Sequence, residues 1–268
     1  MKNFEKWQGC GNDFVIIGDG KIDDAQTVTK ICDRNFGIGA DGVIYVLPSD
    51  VAETRMRIFN ADGTEAEMCG NGLRCFAKYF LAGKNQTELK VETGAGILIA
   101  RLEKNLVTVD MGEPILQAEK IPVAGYGKNS VINEDIEVDG KIYKMTCVSM
   151  GNPHCIIFVD DAENFDLAGI GRKFETHEKF PRKTNTEFVQ VVGENKLRMR
   201  VWERGSGITL ACGTGACATA VAANLNGLAG KSSEVILDGG TLKILWGKDN
   251  HIYMTGPAEK VFSGQLEF

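Results

Sequence analysis

The chain has 268 residues, 43% hydrophobic and 25% charged, with a formal net charge of −6. This length can build a full hydrophobic core, as one large domain or two small ones, and the composition is that of an ordinary soluble globular protein. The acidic balance and the lack of any Lys/Arg stripe argue against a general binder of nucleic acid or anionic membranes, so a small molecule is the expected partner.

In chain order, MKNFEKWQGCGNDFVII has no uninterrupted apolar run after its lysines, and no later stretch reaches the roughly 18 apolar residues of a membrane span. A cytosolic location is expected. FVIIGDG reads as a strand and turn, residues 23 to 35 as a partly amphipathic helix, and GVIYVLP and MRIFNADG as further strands. NGLRCFAKYFLAGK has apolar residues at helical spacing and ends near Gly, as a helix C-terminus should. LKVETGAGILIARL and LVTVDMG return to strand patterns, and two prolines in residues 113 to 125 mark a seam. The second half follows the same plan: CIIFVDDA, a helix near 166 to 177, KLRMRVWERG, the helix TGACATAVAANLNGLAG, then VILDGGTLKILWG and HIYMTGP.

That similarity extends to individual residues. MRIFNADGTEAEMCGNG aligns without a gap on MRVWERGSGITLACGTG, which pairs Arg57 with Arg200 and Cys69 with Cys212 at one offset. GNDFVII at 11 to 17 resembles GNPHCII at 151 to 157, and DMGEP at 110 to 114 resembles MTGPA at 254 to 258, in the same order. An ancient duplication is the simplest reading. The expected fold is α+β, with two pseudo-symmetric domains, residues 1–117 and 118–268, each a β-rich barrel or half-barrel around one helix.

Cys69 and Cys212 each precede Gly-x-Gly and a helix. The unpaired amides and positive dipole end of such a helix lower a thiol pKa from about 8.5 towards neutrality. The same amides bind carboxylates, and glycine lets a ligand approach the backbone. If the two domains face each other, one carboxylate could lie at both helix ends with a sulfur on either side of its α-carbon, as inversion of a stereocentre needs. Plainer readings are buried packing, a zinc site from Cys69, Cys75, Cys212 and Cys217, or a disulfide. With eight cysteines and no C-x-x-C pair, reduced thiols fit better than a disulfide framework, and the zinc spacings are unusual. Cys10, Cys32, Cys75, Cys147, Cys155 and Cys217 are assigned to packing.

GNDF at 11 to 14, FNADG at 59 to 63, MCGNGLRC, GNPH at 151 to 154, NTEF at 185 to 188, WERGSG at 202 to 207 and ACGTGA at 211 to 216 together resemble the diaminopimelate epimerase family along the whole chain. The resemblance implies a cofactor-independent isomerase without metal, acting on LL- and meso-diaminopimelate in lysine and peptidoglycan precursor synthesis. It implies Cys69 and Cys212 as alternating acid and base, and Gly70, Asn71, Gly213 and Thr214 as the carboxylate cradle. Asn12, Asn60, Asn152 and Asn185 are then substrate contacts, Glu203 and Arg204 serve the distal amino-acid end, and His154 and Glu203 support the cysteines and the ammonium group. It also implies a homodimer, an active site between the two halves, and a C-terminal strand, about 260–268, returning to the first half. A racemase of another amino acid is the alternative within the class, and a thiol-ligated zinc or redox-sensing protein the alternative outside it. One departure stands out: the family often carries Gln where this chain has Gly42, so no substrate contact is assigned there.

Overall fold

A computed structural model of the chain describes residues 1–18, 20–21 and 24–267. The chain divides into two compact units, one of Met1–Asp110 with Thr255–Phe268 and one of Met111–Met254. In the first unit the elements are β1 Lys2–Gly9, β2 Asn12–Ile17, α1 Ala25–Cys32, β3 Gly42–Leu47, β4 Thr54–Asn60, β5 Glu65–Ala66, α2 Gly70–Leu81, β6 Glu88–Thr93, β7 Gly96–Glu103 and β8 Leu106–Asp110. The second holds β9 Glu134–Val138, β10 Lys141–Ser149, β11 Pro153–Phe158, α3 Leu167–Glu175, β12 Asn185–Gly193, β13 Lys196–Glu203, β14 Gly207–Thr209, α4 Gly213–Leu225, β15 Ser232–Leu237 and β16 Gly240–Trp246. β17, Ile252–Pro257, carries the chain back to the first unit, where β18, Glu259–Leu266, follows.

The two units repeat one strand order. In the first, β18 pairs antiparallel with β1 and β1 with β2; β2 runs parallel to β3, β3 antiparallel to β4, and β4 pairs parallel with β6 before β7 and β8 follow antiparallel. In the second, β9, β10 and β11 pair antiparallel, β11 runs parallel to β12, β12 antiparallel to β13, and β13 pairs parallel with β15 before β16. Each parallel step is a crossover through a helix, α1 and α2 in one unit and α3 and α4 in the other. β18, from the far end of the chain, takes the place that β9 holds in the second unit. Among the described residues no helix is long and apolar enough to cross a membrane.

Local chemistry accounts for the helices. Asp24 caps α1 by accepting from the Thr27 amide, and Asp166 caps α3 through Gly169. Residue 23, the first of the expected helix, lies outside the described residues. Both long helices are followed by a glycine at positive φ, Gly83 and Gly227, which ends them as left-handed caps do. α4 is buried over nearly its whole length, Gly213 and Gly215 through Ala223, which its small apolar residues allow. α2 buries Leu73, Cys75, Phe76, Ala77 and Leu81, and also the whole side chain of Arg74. Burial at these positions stabilises each unit by roughly 25 cal/mol for every Å² of apolar surface removed from water.

Candidate active site

α2 and α4 begin in an unusual way, because the residue in the capping position is a cysteine where Ser, Thr, Asn or Asp is the rule. Cys69 and Cys212 are both extended, at φ −140° and −124°, and their carbonyls accept the first helical bonds, from Leu73 and Ala216 at 2.8 and 2.9 Å. Gly70 and Asn71, like Gly213 and Thr214, therefore sit in the first turn, where backbone amides have no partner within the helix. Each helix start presents amides, a dipole and a sulfur together.

In the first unit, Cys69 is half-buried and its Sγ donates to Asn12 Oδ1 at 3.7 Å. Asn71 Nδ2 donates to the same oxygen at 3.2 Å, so Asn12, Cys69 and Asn71 form one group. Asn12 Nδ2 donates to Asp41 Oδ2 at 2.7 Å. Asp41 and Asp13 are joined by Arg34, whose guanidinium donates to both Asp13 oxygens at 3.1 and 2.9 Å and to Asp41 at 2.8 Å. Lys6 adds an ion pair to Asp13 at 2.7 Å. Burial alone pushes the Asp13 carboxyl up, but the hydrogen bonds and charges of Arg34 and Lys6 together hold it below its ordinary value.

Asn60 stands apart from this group. It ends β4, and its side-chain amide donates to Thr64 Oγ1 at 3.0 Å within the turn that follows. Gly42 is explained sterically, because a Cβ there would lie 2.5 Å from the Phe59 carbonyl oxygen. No side chain fits at this position without moving β4. Inside MCGNGLRC, Arg74 is fully buried and donates to the Pro257 carbonyl at 3.1 Å, with Cys10 Sγ 3.8 Å from its Nη2. Cys75 is wholly buried, which pushes its thiol up to about 12 and keeps it protonated.

The second unit surrounds its cysteine more closely. Cys212 is 5% exposed, with Sγ accepting from the Gly215 amide at 3.3 Å and lying 3.5 Å from Thr214 Oγ1. Burial pushes its thiol well above the ordinary value, the charges of Glu203 and Glu187 push it further, and bonds from Thr214 and Gly215 only partly oppose them. Glu203, at the end of β13, is itself raised by burial, and it accepts from the Thr209 hydroxyl. Burial thus acts on the Cys212 thiol and on the Glu203 carboxyl in the same direction, towards the protonated form.

His154 is wholly buried between Glu187, 2.7 Å from Nδ1, and Asn152 Oδ1, 3.0 Å from Nε2. Asn152 Nδ2 in turn donates to Thr214 Oγ1 at 3.3 Å, joining β11 to the start of α4. The ligating atoms of His154, Glu187 and Cys212 lie within 4.8 Å of one another, a set that could also hold a metal ion. Cys75 and Cys217, members of the zinc set considered from sequence, are instead packed within helices. Asn185 is 4% exposed and spends both ends of its amide on backbone, donating to Pro153 O at 2.8 Å and accepting from Arg204 N at 2.9 Å. That bond fixes the backbone at Arg204, whose exposed guanidinium donates to Arg182 O at 3.3 Å.

Sequence reasoning passed over Glu187, Thr209, Asp41 and Arg34. Glu187 lies within the NTEF motif, and a lone carboxylate inside the apolar run of β12 was the available signal. Asp41 and Arg34 carried none, since an acidic and a basic residue near glycines read equally well as a solvated turn.

The sequence model of the family described as "Diaminopimelate epimerase" matches residues 4–117 and 146–261. A diaminopimelate epimerase of Synechococcus elongatus is 52% identical over 98% of either chain, and one of Methanococcus maripaludis is 50% identical over 98% of this chain and 99% of its own. Among solved structures, a phenazine biosynthesis protein of the PhzF family from Enterococcus faecalis superposes with a TM-score of 0.71 at 13% identity, over 100% of this chain and 99% of that one. At that identity the match speaks for the fold, a duplicated barrel-like α+β architecture.

Proposed function

This chain belongs to the diaminopimelate epimerase family, an isomerase family, and from that premise we propose that it interconverts LL- and meso-2,6-diaminopimelate by thiolate and thiol chemistry at Cys69 and Cys212. The observation that carries the proposal is the repeated placement of a cysteine as the capping residue of α2 and of α4. An amino-acid α-proton is too weakly acidic for a base alone to remove. The amides of Gly70 and Asn71, and those of Gly213 and Thr214, supply donors for a carboxylate that takes on enediolate-like charge as the proton leaves. One thiolate accepts the α-proton from one face while the other thiol gives its proton to the opposite face, and the carbon inverts. Proton exchange with solvent after product release, or a turnover in the reverse direction, restores both sulfurs.

Which sulfur acts as base and which as acid exchanges with the direction of the reaction. Once Cys212 has given up its proton, its thiolate lies beside Glu203 and Glu187, and the Gly215 amide and the Thr214 hydroxyl are the donors that face it. Arg204 supplies a guanidinium for the second carboxylate of the substrate, which a simple amino acid lacks. Asn12, Asn60 and Asn152 complete the substrate contacts, and Asn185 serves the substrate indirectly by fixing the backbone at Arg204. The reaction belongs to lysine and peptidoglycan precursor synthesis, in the cytoplasm, with the chain as a homodimer.

The test is incubation with LL-2,6-diaminopimelate in deuterated water, followed by NMR and by chiral separation. Loss of the α-proton signal together with formation of the meso isomer is expected. Retention of the α-proton, or equal turnover of amino acids without a distal carboxylate, would overturn the assignment.

A further inference from the structure

The two asparagines of the repeated Gly-Asn motif do not face their helices in the same way. Asn12 turns its carbonyl oxygen to Asn71, which donates to it at 3.2 Å, whereas Asn152 turns its amide nitrogen to Thr214, the residue at the matching helix position, at 3.3 Å. A carboxamide can be rotated end for end at almost no steric cost, so whatever contacts its other end decides which atom faces the site.

For Asn12 that contact is Asp41. One Asp41 oxygen accepts from Asn12 Nδ2 at 2.7 Å and from the Asp13 amide at 3.1 Å, and the other accepts from Arg34 at 2.8 Å. The Asp41 carboxylate accepts in each of these bonds, so only the nitrogen of Asn12 can face it. The carbonyl oxygen must then point to Cys69 Sγ and Asn71 Nδ2. Arg34 is held on its far side by both oxygens of Asp13 and ties Asp41 in place. As an exposed ion pair it adds little stability, but it restrains position.

The second unit has no such group. The parallel registers set Phe14 beside Gly42 and His154 beside Asn185, which makes Thr184 the counterpart of Asp41, and its hydroxyl donates to the Asn185 carbonyl. There His154 meets the asparagine instead, through its Oδ1.

We propose that Asp41, tied by Arg34, is a positioning residue that locks the Asn12 amide with its carbonyl oxygen towards Cys69. The catalytic consequence rests on the epimerase reading; the orientation itself does not. An acceptor beside Cys69 gives the thiol hydrogen a fixed direction. A rotated amide would place N–H groups there, against both the thiol hydrogen and the donor of Asn71. Asp41 thus acts through Asn12 and needs no contact with substrate.

A double-mutant cycle with a spectroscopic arm tests this. Asp41→Ala should lower kcat/KM by about 10-fold or more, the usual scale for a lost hydrogen bond to a charged group. In an Asn12→Ala background the same change should cost less than about 2-fold, because the group it orients is gone. Asp41→Asn, which keeps the shape but cannot accept at both oxygens, should fall between wild type and Asp41→Ala. In 15N NMR the Asn12 side-chain amide, assigned by its loss in Asn12→Ala, should move towards the position of a solvated amide and exchange faster with water in Asp41→Ala. An unmoved amide signal overturns the proposal whatever the activity, as do additive losses in the cycle. An inactive wild type with a displaced amide signal would instead count against the epimerase reading alone.

Discussion

Gly72 and Gly215 occupy the same place in the two copies, three residues after Cys69 and Cys212, yet adding a methyl group to each should have unequal effects. A Cβ on Gly215 would lie 2.5 Å from Glu187 Oε1, 3.1 Å from Cys212 Sγ and 3.2 Å from Cys212 Cβ. Ordinary contact begins near 3.4 Å, so Glu187 must retreat by about 0.9 Å. Glu187 is fully buried and holds His154 at 2.7 Å, and losing that charge-assisted bond costs about 1.5–3 kcal/mol. The gain from replacing glycine in a helix, at most about 1 kcal/mol, offsets part of it. Net destabilisation of at least about 0.5–2 kcal/mol should lower the melting temperature by a few degrees in a chain of this size. The sulfur must also shift, and misplacement by about 1 Å can cost on the order of 100-fold in rate. Gly215→Ala should therefore lose 10- to 100-fold in kcat/KM, by roughly that scale. On Gly72 the nearest atoms are the terminal methyls of Ile44 and Ile58, both at 3.1 Å, with Cys69 Cβ at 3.5 Å. Those methyls can rotate away, so Gly72→Ala should stay within about 3-fold of wild type, since a surplus of well under 1 kcal/mol is at stake. Thermal denaturation and epimerisation rates measured on both variants decide the matter. Equal losses, or a larger loss at Gly72, would refute the reasoning.

Three further outcomes follow from the same geometry. Gly42→Gln, which restores the residue common in the family, should destabilise the protein by roughly 1–3 kcal/mol as an overpacked substitution; an unchanged melting temperature would show that β4 can move. Asp13 is held below its ordinary carboxyl value, so its stabilising effect is present above that value, about 3.9, and is lost as pH falls through the lowered one. Asp13→Asn should accordingly be less stable than wild type at neutral pH, and the gap should close in acid; a gap independent of pH contradicts the ion-pair account. Cys212, raised by burial and then by Glu203 and Glu187, should react with iodoacetamide slowly at neutral pH and faster only above the ordinary thiol range of about 8.5. Half-maximal labelling at or below neutrality, read by mass spectrometry, would contradict this account of how burial and the two carboxylates act on the thiol.

The repeat was legible because two stretches kept the same residues in the same order, and the strand order of the two units repeats the same plan. Both long helices could be read from their apolar spacing, and the two cysteines from their shared place before Gly-x-Gly and a helix in the repeated stretch. What the sequence did not display is contact between residues far apart in the chain. Glu187 beside His154 depends on the parallel pairing of β11 with β12, and Asp41 beside Asn12 on that of β2 with β3. Asparagines were legible as polar residues, but not which end of the amide each one shows. Asn60 and Asn185 make the point: the first closes a turn and the second braces the backbone at Arg204. Arg74, inside the most informative stretch of the chain, is fully buried, and nothing in the helical spacing signals it.

The central claim is that two thiols share one inversion, and the most direct measurement compares Cys69→Ala with Cys212→Ala on LL-2,6-diaminopimelate in deuterated water. Each variant, folded as wild type by circular dichroism, should lose epimerisation by at least about 1,000-fold, as expected when a principal acid or base is removed. Wild-type rates of meso product with deuterium at the α-carbon from either variant would contradict the two-thiol account.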